Sequence, residues 1–331
     1  MKKILIIQTA SIGDVILTTA IAEKIHAEKP KAAIDFLVKK GNETLFHHHP
    51  YIQKVLIRDK TLPKKKCFLQ LLQQIYAEKY DLIVNVQRHS FTALLTLFGG
   101  AKETSGFKGN LWSIFYSHRS AHRIQPALGM HETERNQQLI QHLTGKTPGP
   151  VMLYPDNKAF AKVSEYKTIP YITIAPASLW FTKQFPKEKW SDLIRQIPET
   201  FTVYLLGGKN DNALCEDILT HSERKNCLTL AGKFSLLETA ALMKHSVMNF
   251  VNDSAPLHLA SAVNAPVTAI FCSTVPGFGF GPLSEKSFVV ETKKSLPCRP
   301  CGLHGKKKCP KKHFDCAMTI KIEDLINKID V

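Results

Sequence analysis

One carboxylate, Asp14, stands in QTASIGDVILTTAI (8–21), after the apolar run Ile4–Ile7 and just before an apolar helical pattern. A lone acid in a loop of small residues can take a proton from a bound hydroxyl. It can equally serve as a first-turn carboxylate favoured by the helix macrodipole. In PASLWFTKQFP (176–186), Ser178, Thr182 and Lys183 leave a second apolar run. Two hydroxyls and an ammonium suit phosphate oxygens, although an ordinary strand-to-helix loop would read the same way. NDSAPLH (252–258) places Asp253, Ser254, Ala255 and His258 at a helix start, where free backbone amides offer an anion site. Pro256 fits plain first-turn chemistry too. The sum is one acid in the first half of the chain and phosphate-binding chemistry in the second.

Near the end, C-x2-C-x7-C-x6-C joins Cys298, Cys301, Cys309 and Cys316, with His304 and His313 between. The spacing suits a structural zinc; the alternative is a set of free thiols. Eight cysteines without a secretory signal point to a reducing compartment. The opening MKKILIIQTASIGD imitates a signal peptide, but its apolar stretch is four residues and reads better as a first strand. No apolar run approaches the ~20 residues of a membrane-spanning helix.

The net charge of +16 favours acidic partners: nucleotide phosphates, a phosphorylated glycan, an anionic membrane face or nucleic acid. Much of it lies in runs such as Lys64-Lys65-Lys66 and Lys306-Lys307-Lys308, which also read as solvated loops. No RNA-recognition signature or helix-turn-helix accompanies them, which argues against nucleic acid. G-x-G-x-x-G, G-x-x-x-x-G-K-[ST] and an Asp-x-Asp pair are all missing, which removes the main support for a dinucleotide cofactor, a P-loop and a metal-bound nucleotide sugar.

The elements that must position these residues alternate. Strands are expected at 3–8, 33–38, 54–57 and 81–86, with helices at 14–28 and 67–78. Residues 99–130, rich in Gly, Ser, Arg and His, suggest long surface loops around a cleft, and 131–143 restores a helix. After a turn-rich break at 144–150, residues 154–168 read as a polar helical linker. A second alternation follows: strands at 171–177, 201–208, 247–251 and 266–272, helices at 188–197, 212–221, 235–246 and 256–263. The fold class is therefore α/β, with two open parallel-sheet domains facing across a cleft and ligands at the carboxyl ends of the strands. The boundaries are 1–154, a linker at 155–168, and 169–331 with the Cys-rich tail.

This combination resembles glycosyltransferase family 9, the ADP-heptose:lipopolysaccharide heptosyltransferases, most closely the heptosyltransferase II type. The resemblance runs through KILIIQTASIGDVILT, SFTALLTLFGGAKETSGFKG, HETERN, PASLWFTKQFPKEKW and VNDSAPLHLASA, nearly end to end. It implies a GT-B fold of two Rossmann-like domains, acceptor on the first and nucleotide sugar on the second, with inversion and no obligatory metal. The last helix would pack back on the N-terminal domain. By resemblance Asp14 is the general base, and Lys183 neutralises the departing diphosphate. Ser178, Thr182, Asp253, Ser254, Ala255 and His258 complete the donor site, and Lys64, Lys65, Lys66 and Arg88 meet an anionic acceptor. The family usually has glycine at the position of Ala255, and many members have a ribose-contacting glutamate where Lys233 stands.

The implied partners are a nucleotide-diphosphate sugar, ADP-heptose first, a lipopolysaccharide core precursor and an anionic membrane surface. The implied place is the cytoplasmic, inner face of the inner membrane. The alternatives are a family member with another donor or glycan acceptor, and a catalytically silent nucleotide- or glycan-binding protein.

Overall fold

The computed structural model describes residues 3–329. The chain divides into two compact units, one running to Ile124 and from Met130 to Tyr154, the other holding Gln125–Gly129 and the chain from Pro155 onward. Gln125–Gly129 leaves the first domain expected from the sequence because Pro126 packs on Gly277, where an added Cβ would meet it at 3.2 Å.

The first unit is a six-stranded parallel sheet. Its strands are β1 (Lys3–Ile7), β2 (Ala33–Lys39), β3 (Ile52–Arg58), β4 (Leu82–Asn85), β5 (Glu103–Phe107) and β6 (His118–Ser120), in the order β3-β2-β1-β4-β5-β6. Ile4–Ile7 and all of β4 are buried, as expected of central parallel strands covered on both faces. Residues 99–130, expected as loops, supply β5 and β6. The polar sequence ETSGF disguises a strand because Gly106 admits the Tyr116 ring, which would stand 2.5 Å from a Cβ there. The helix Ser90–Phe98 also goes unseen in the sequence pattern, and the helix expected at 131–143 is two short pieces, Glu132–Gln137 and Gln141–Thr144.

The second unit repeats the plan with β7 (Tyr171–Ala175), β8 (Thr202–Leu205), β9 (Cys227–Thr229), β10 (Met248–Asn252), β11 (Val267–Phe271) and β12 (Ser287–Glu291). The order β12-β11-β10-β7-β8-β9, all parallel, is the same order read from the other edge. Its core centres on the fully buried Trp190, set edge-on to Phe185 at 5.1 Å. The last helix, Glu323–Ile326, was expected on the first unit. It joins this second core through Leu325, together with Ala317, Ile320 and Ile329, because its apolar residues find the α/β layer nearest in sequence.

Candidate functional site

In a doubly wound sheet, ligands bind beyond the carboxyl ends of the two strands where the order reverses. Those strands are β1 and β4 in the first unit and β7 and β10 in the second. Asp14 follows β1, Arg88 follows β4, Ser178–Lys183 follows β7 and Asp253–His258 follows β10. Asp14, Arg88, Ser178, Thr182, Lys183, Asp253, Ser254, Ala255 and His258 thus follow the switch-point strands of their sheets, whereas Lys64, Lys65 and Lys66 follow the edge strand β3.

Asp14 occupies the third position of the helix Ile12–Glu28 and completes a capping box with Ser11. The Ser11 hydroxyl donates to Asp14 Oδ2 at 2.6 Å and the Ser11 amide to the same oxygen at 3.1 Å. Among the described residues no donor is paired with Oδ1. One oxygen of the carboxylate therefore holds the helix start, and the other is left out of the cap. The loop that carries it is locked from below: Gln8 Oε1 accepts from Gln87 Nε2 and from the Ala10 amide, and Gln8 Nε2 donates to Thr18 Oγ1. Asn42 donates to the Ala10 carbonyl, and Arg58, stacked 3.9 Å over the Phe91 ring, reaches Thr9 Oγ1 at 3.3 Å. None of Gln8, Asn42, Arg58 and Gln87 was singled out from sequence. Arg58 had a signal, a cation at the end of a strand.

Lys64, Lys65 and Lys66 were expected ahead of a helix; they are its first turn, in Lys64–Ala77, with Pro63 at the N-cap and no side-chain cap. Three cations beside unsatisfied amides oppose the macrodipole. The arrangement repels cations and attracts anions. All three, and Arg88, are exposed.

In the second unit, Lys183 and Asp253 meet. Lys183 Nζ lies 2.7 Å from Asp253 Oδ2, which also accepts the Thr274 hydroxyl at 2.6 Å. Asn252 ties the loop after β7 to the end of β10: its amide nitrogen donates to the Pro176 carbonyl and its oxygen accepts the Phe185 amide. Ser178 is half-buried, and its carbonyl accepts from Gln184. Ser254 caps the helix Ala255–Ala262 through backbone alone, so the first-turn amide of Ala255 is not claimed by a side chain. His258 is buried in that helix. Lys233 is exposed, just past Gly232.

Thr182 lies against the tail. It is buried, and its Oγ1 accepts the Lys306 amide at 2.7 Å and stands 3.0 Å from Ser273 Oγ, while its own amide donates back to the Lys306 carbonyl. Thr182 Oγ1 thus accepts from the tail, and its own hydroxyl proton is left to donate. Gly305, at φ +75°, closes the same contact: a Cβ there would lie 3.0 Å from Thr182 Oγ1 and 3.1 Å from Lys183 Cγ. Arg299 fastens the tail to the end of β11, donating to the carbonyls of Phe271, Cys272 and Thr274. The Cys-rich tail is thus stitched to the loop that carries Lys183.

The four tail thiols have the donor chemistry for zinc, but no three of them converge within 4.8 Å; among the described residues only Glu103, His118 and His142 do so. Cys316 lies in the core, where burial pushes its thiol up to about 11, and Cys298 Sγ stands 3.8 Å from His313 Nε2. The tail presents no closed metal site in this arrangement, and no step is assigned to a metal.

The model of glycosyltransferase family 9 (heptosyltransferase) matches residues 68–312. Lipopolysaccharide heptosyltransferase 3 of Escherichia coli strain K12 is 28% identical over 280 residues, covering 79% of this chain and 80% of that protein. The glycosyl transferase family 9 structure from Veillonella parvula superposes with a TM-score of 0.83 at 20% identity, over 99% of this chain and 95% of that one. The structure of E. coli ADP-heptose LPS heptosyltransferase II gives 0.77 at 20% identity, over 99% and 97%. The fold is GT-B, with the two sheets in the same Rossmann-like strand order. This chain belongs to glycosyltransferase family 9.

Proposed function

We propose that the chain transfers a heptose from ADP-heptose to a lipopolysaccharide inner-core acceptor, with inversion. The supporting observation is the division of chemistry between the switch points: Asp14 in the first sheet, and Lys183 with its counter-ion Asp253 in the second. The names of the relatives agree, one being a lipopolysaccharide heptosyltransferase and another an ADP-heptose LPS heptosyltransferase. Asp14 lies ahead of the residues that the family model matches, so its role rests on geometry and on the resemblance of its loop.

In the reaction, Asp14 accepts the proton of the acceptor hydroxyl as that oxygen attacks the anomeric carbon. The carbon–oxygen bond to the diphosphate breaks, and ADP leaves with the electron pair. Lys183 neutralises the charge that grows on it, where a preorganised group is worth most. The exposed cations Lys64, Lys65, Lys66 and Arg88 hold the anionic acceptor. Among the described residues no helix is long and apolar enough to cross a membrane. We place the enzyme on the cytoplasmic face of the inner membrane as a peripheral protein.

The test is turnover of ADP-heptose, GDP-sugars and UDP-sugars with a deacylated inner-core acceptor, read by product mass. Addition of one heptose supports the reading. Turnover of another sugar nucleotide, with none of ADP-heptose, overturns the donor and gives Lys233 a reason.

A further inference from the structure

The short 3-10 turn Leu111–Phe115 reverses the usual polarity of a surface turn. Its one polar residue, Ser113, is buried: the Ser113 amide donates to Asn110 Oδ1 at 3.0 Å and its hydroxyl to the Asn110 carbonyl at 2.7 Å. Its four apolar residues face out, with Leu111 86%, Ile114 61%, Phe115 64% and Trp112 37% exposed. Side chains three apart eclipse in a 3-10 helix, so Leu111 with Ile114 and Trp112 with Phe115 make two rows of one patch. Asn110 pins the start, and the buried Tyr116, whose hydroxyl accepts from Asn85, pins the end. The exposure is built into a fixed turn. Scattered surface hydrophobes need no explanation, whereas a contiguous patch marks an interaction site.

The stretch of chain around the turn is basic. No Asp or Glu occurs from residue 104 to residue 131, while Lys108, Arg119 and Arg123 are exposed there. Arg88 comes close to the start of the turn, since its Cδ lies 3.7 Å from the point where a Cβ on Gly109 would sit. A Leu-Trp-Ile-Phe wedge in a basic, acid-free stretch of chain, with Arg88 beside its start, complements an anionic bilayer: aromatic and aliphatic groups enter the headgroup boundary, and the cations meet lipid phosphates.

We propose that the turn Leu111–Phe115 is a membrane-docking wedge that seats the first unit on an anionic lipid surface. The inference rests on the peripheral location proposed above and names the surface responsible. The test is co-sedimentation of the full chain with phosphatidylethanolamine–phosphatidylglycerol vesicles and with phosphatidylcholine vesicles. Wild type is expected to bind the anionic vesicles and to release them at high salt. The triple variant Leu111→Ser, Ile114→Ser, Phe115→Ser should lose at least about tenfold in partitioning. Its melting temperature should hold, because these side chains already face water, and so should its turnover of a deacylated acceptor. If the variant sediments like wild type, the turn is not the wedge, although the location stands. If wild type binds no vesicle, the location itself fails. If the variant instead loses a concentration-dependent dimer with vesicle binding intact, the patch is an interface between copies and the proposal is overturned.

Discussion

Lys183 Nζ and Asp253 Oδ2 stand 2.7 Å apart, so the ammonium is held in place by its counter-ion. Lys183→Ala should lower kcat by roughly 10²–10³-fold, the usual loss for one preorganised group. Asp253→Asn keeps the bond from Thr274 but releases the ammonium. That variant should bind ADP as tightly as wild type in calorimetry while turning over more slowly. Wild-type turnover in Asp253→Asn would make the pair purely structural.

Ser11 and Asp14 separate two roles that one carboxylate combines. Asn at position 14 can still accept from the Ser11 hydroxyl, so Asp14→Asn should melt near wild type. Its kcat should fall by roughly 10²–10⁴-fold, because an amide takes no proton from the acceptor. Ser11→Ala should do the reverse, costing about 1 kcal/mol of stability and retaining most of the rate. Equal kcat for Asp14→Asn and wild type would leave Asp14 as a cap.

Gly302 and Gly305 form a matched pair for testing the tail. Both have positive φ, 78° and 75°, but an added Cβ at Gly302 meets nothing within 4 Å. Alanine at either should cost about 1–2 kcal/mol in backbone strain. Only Gly305→Ala should also lose turnover, because its methyl pushes on Thr182 and Lys183. Comparable kcat in the two variants would show the tail to be a passenger.

His49 makes stability depend on pH. Its ring is packed edge-on against Tyr51 at 4.6 Å and Tyr154 at 4.7 Å, and burial, with the nearby charge of His26, holds its pKa down to about 4. The unfolded imidazole titrates near ~6.5. Above that pH both states are neutral and the stability is full. As the pH falls toward 4, the unfolded chain takes up a proton that the folded one refuses, and roughly 3 kcal/mol is lost. Glu23, raised by burial, acts with the opposite sign and offsets part of the loss. Chemical denaturation between pH 4 and 7 should show the slope in wild type, and His49→Phe should flatten it.

The central strands were legible because a parallel strand buried on both faces is mostly apolar, as in ILII before Gln8 and YITIA before Pro176. The sheet edges were not: β6 is three residues, HRS, and β5 carries a glycine whose reason, the Tyr116 ring, lies ten residues away. The site divides in the same way. Asp14 and Lys183 were singled out by residue type in the loops that follow β1 and β7. The bond from the Lys306 amide to Thr182 spans 124 positions, and no local pattern encodes it. The lysine run at 64–66 looked like loop because helix propensity says little about where a first turn begins, and Pro63 was the missed signal.

Asn252 is bonded at both ends, giving to Pro176 and taking from Phe185. Its amide therefore works as a mechanical yoke: a displacement of the Lys183 loop is handed directly to the end of β10, one residue before Asp253. The two arms of the Lys183–Asp253 pair must then travel as a rigid body, and whatever moves one on binding moves both. Aspartate at 252 could serve only one of the two bonds, and glutamine would overshoot them. The position thus makes a single-residue probe for whether donor binding and loop motion are one event or two.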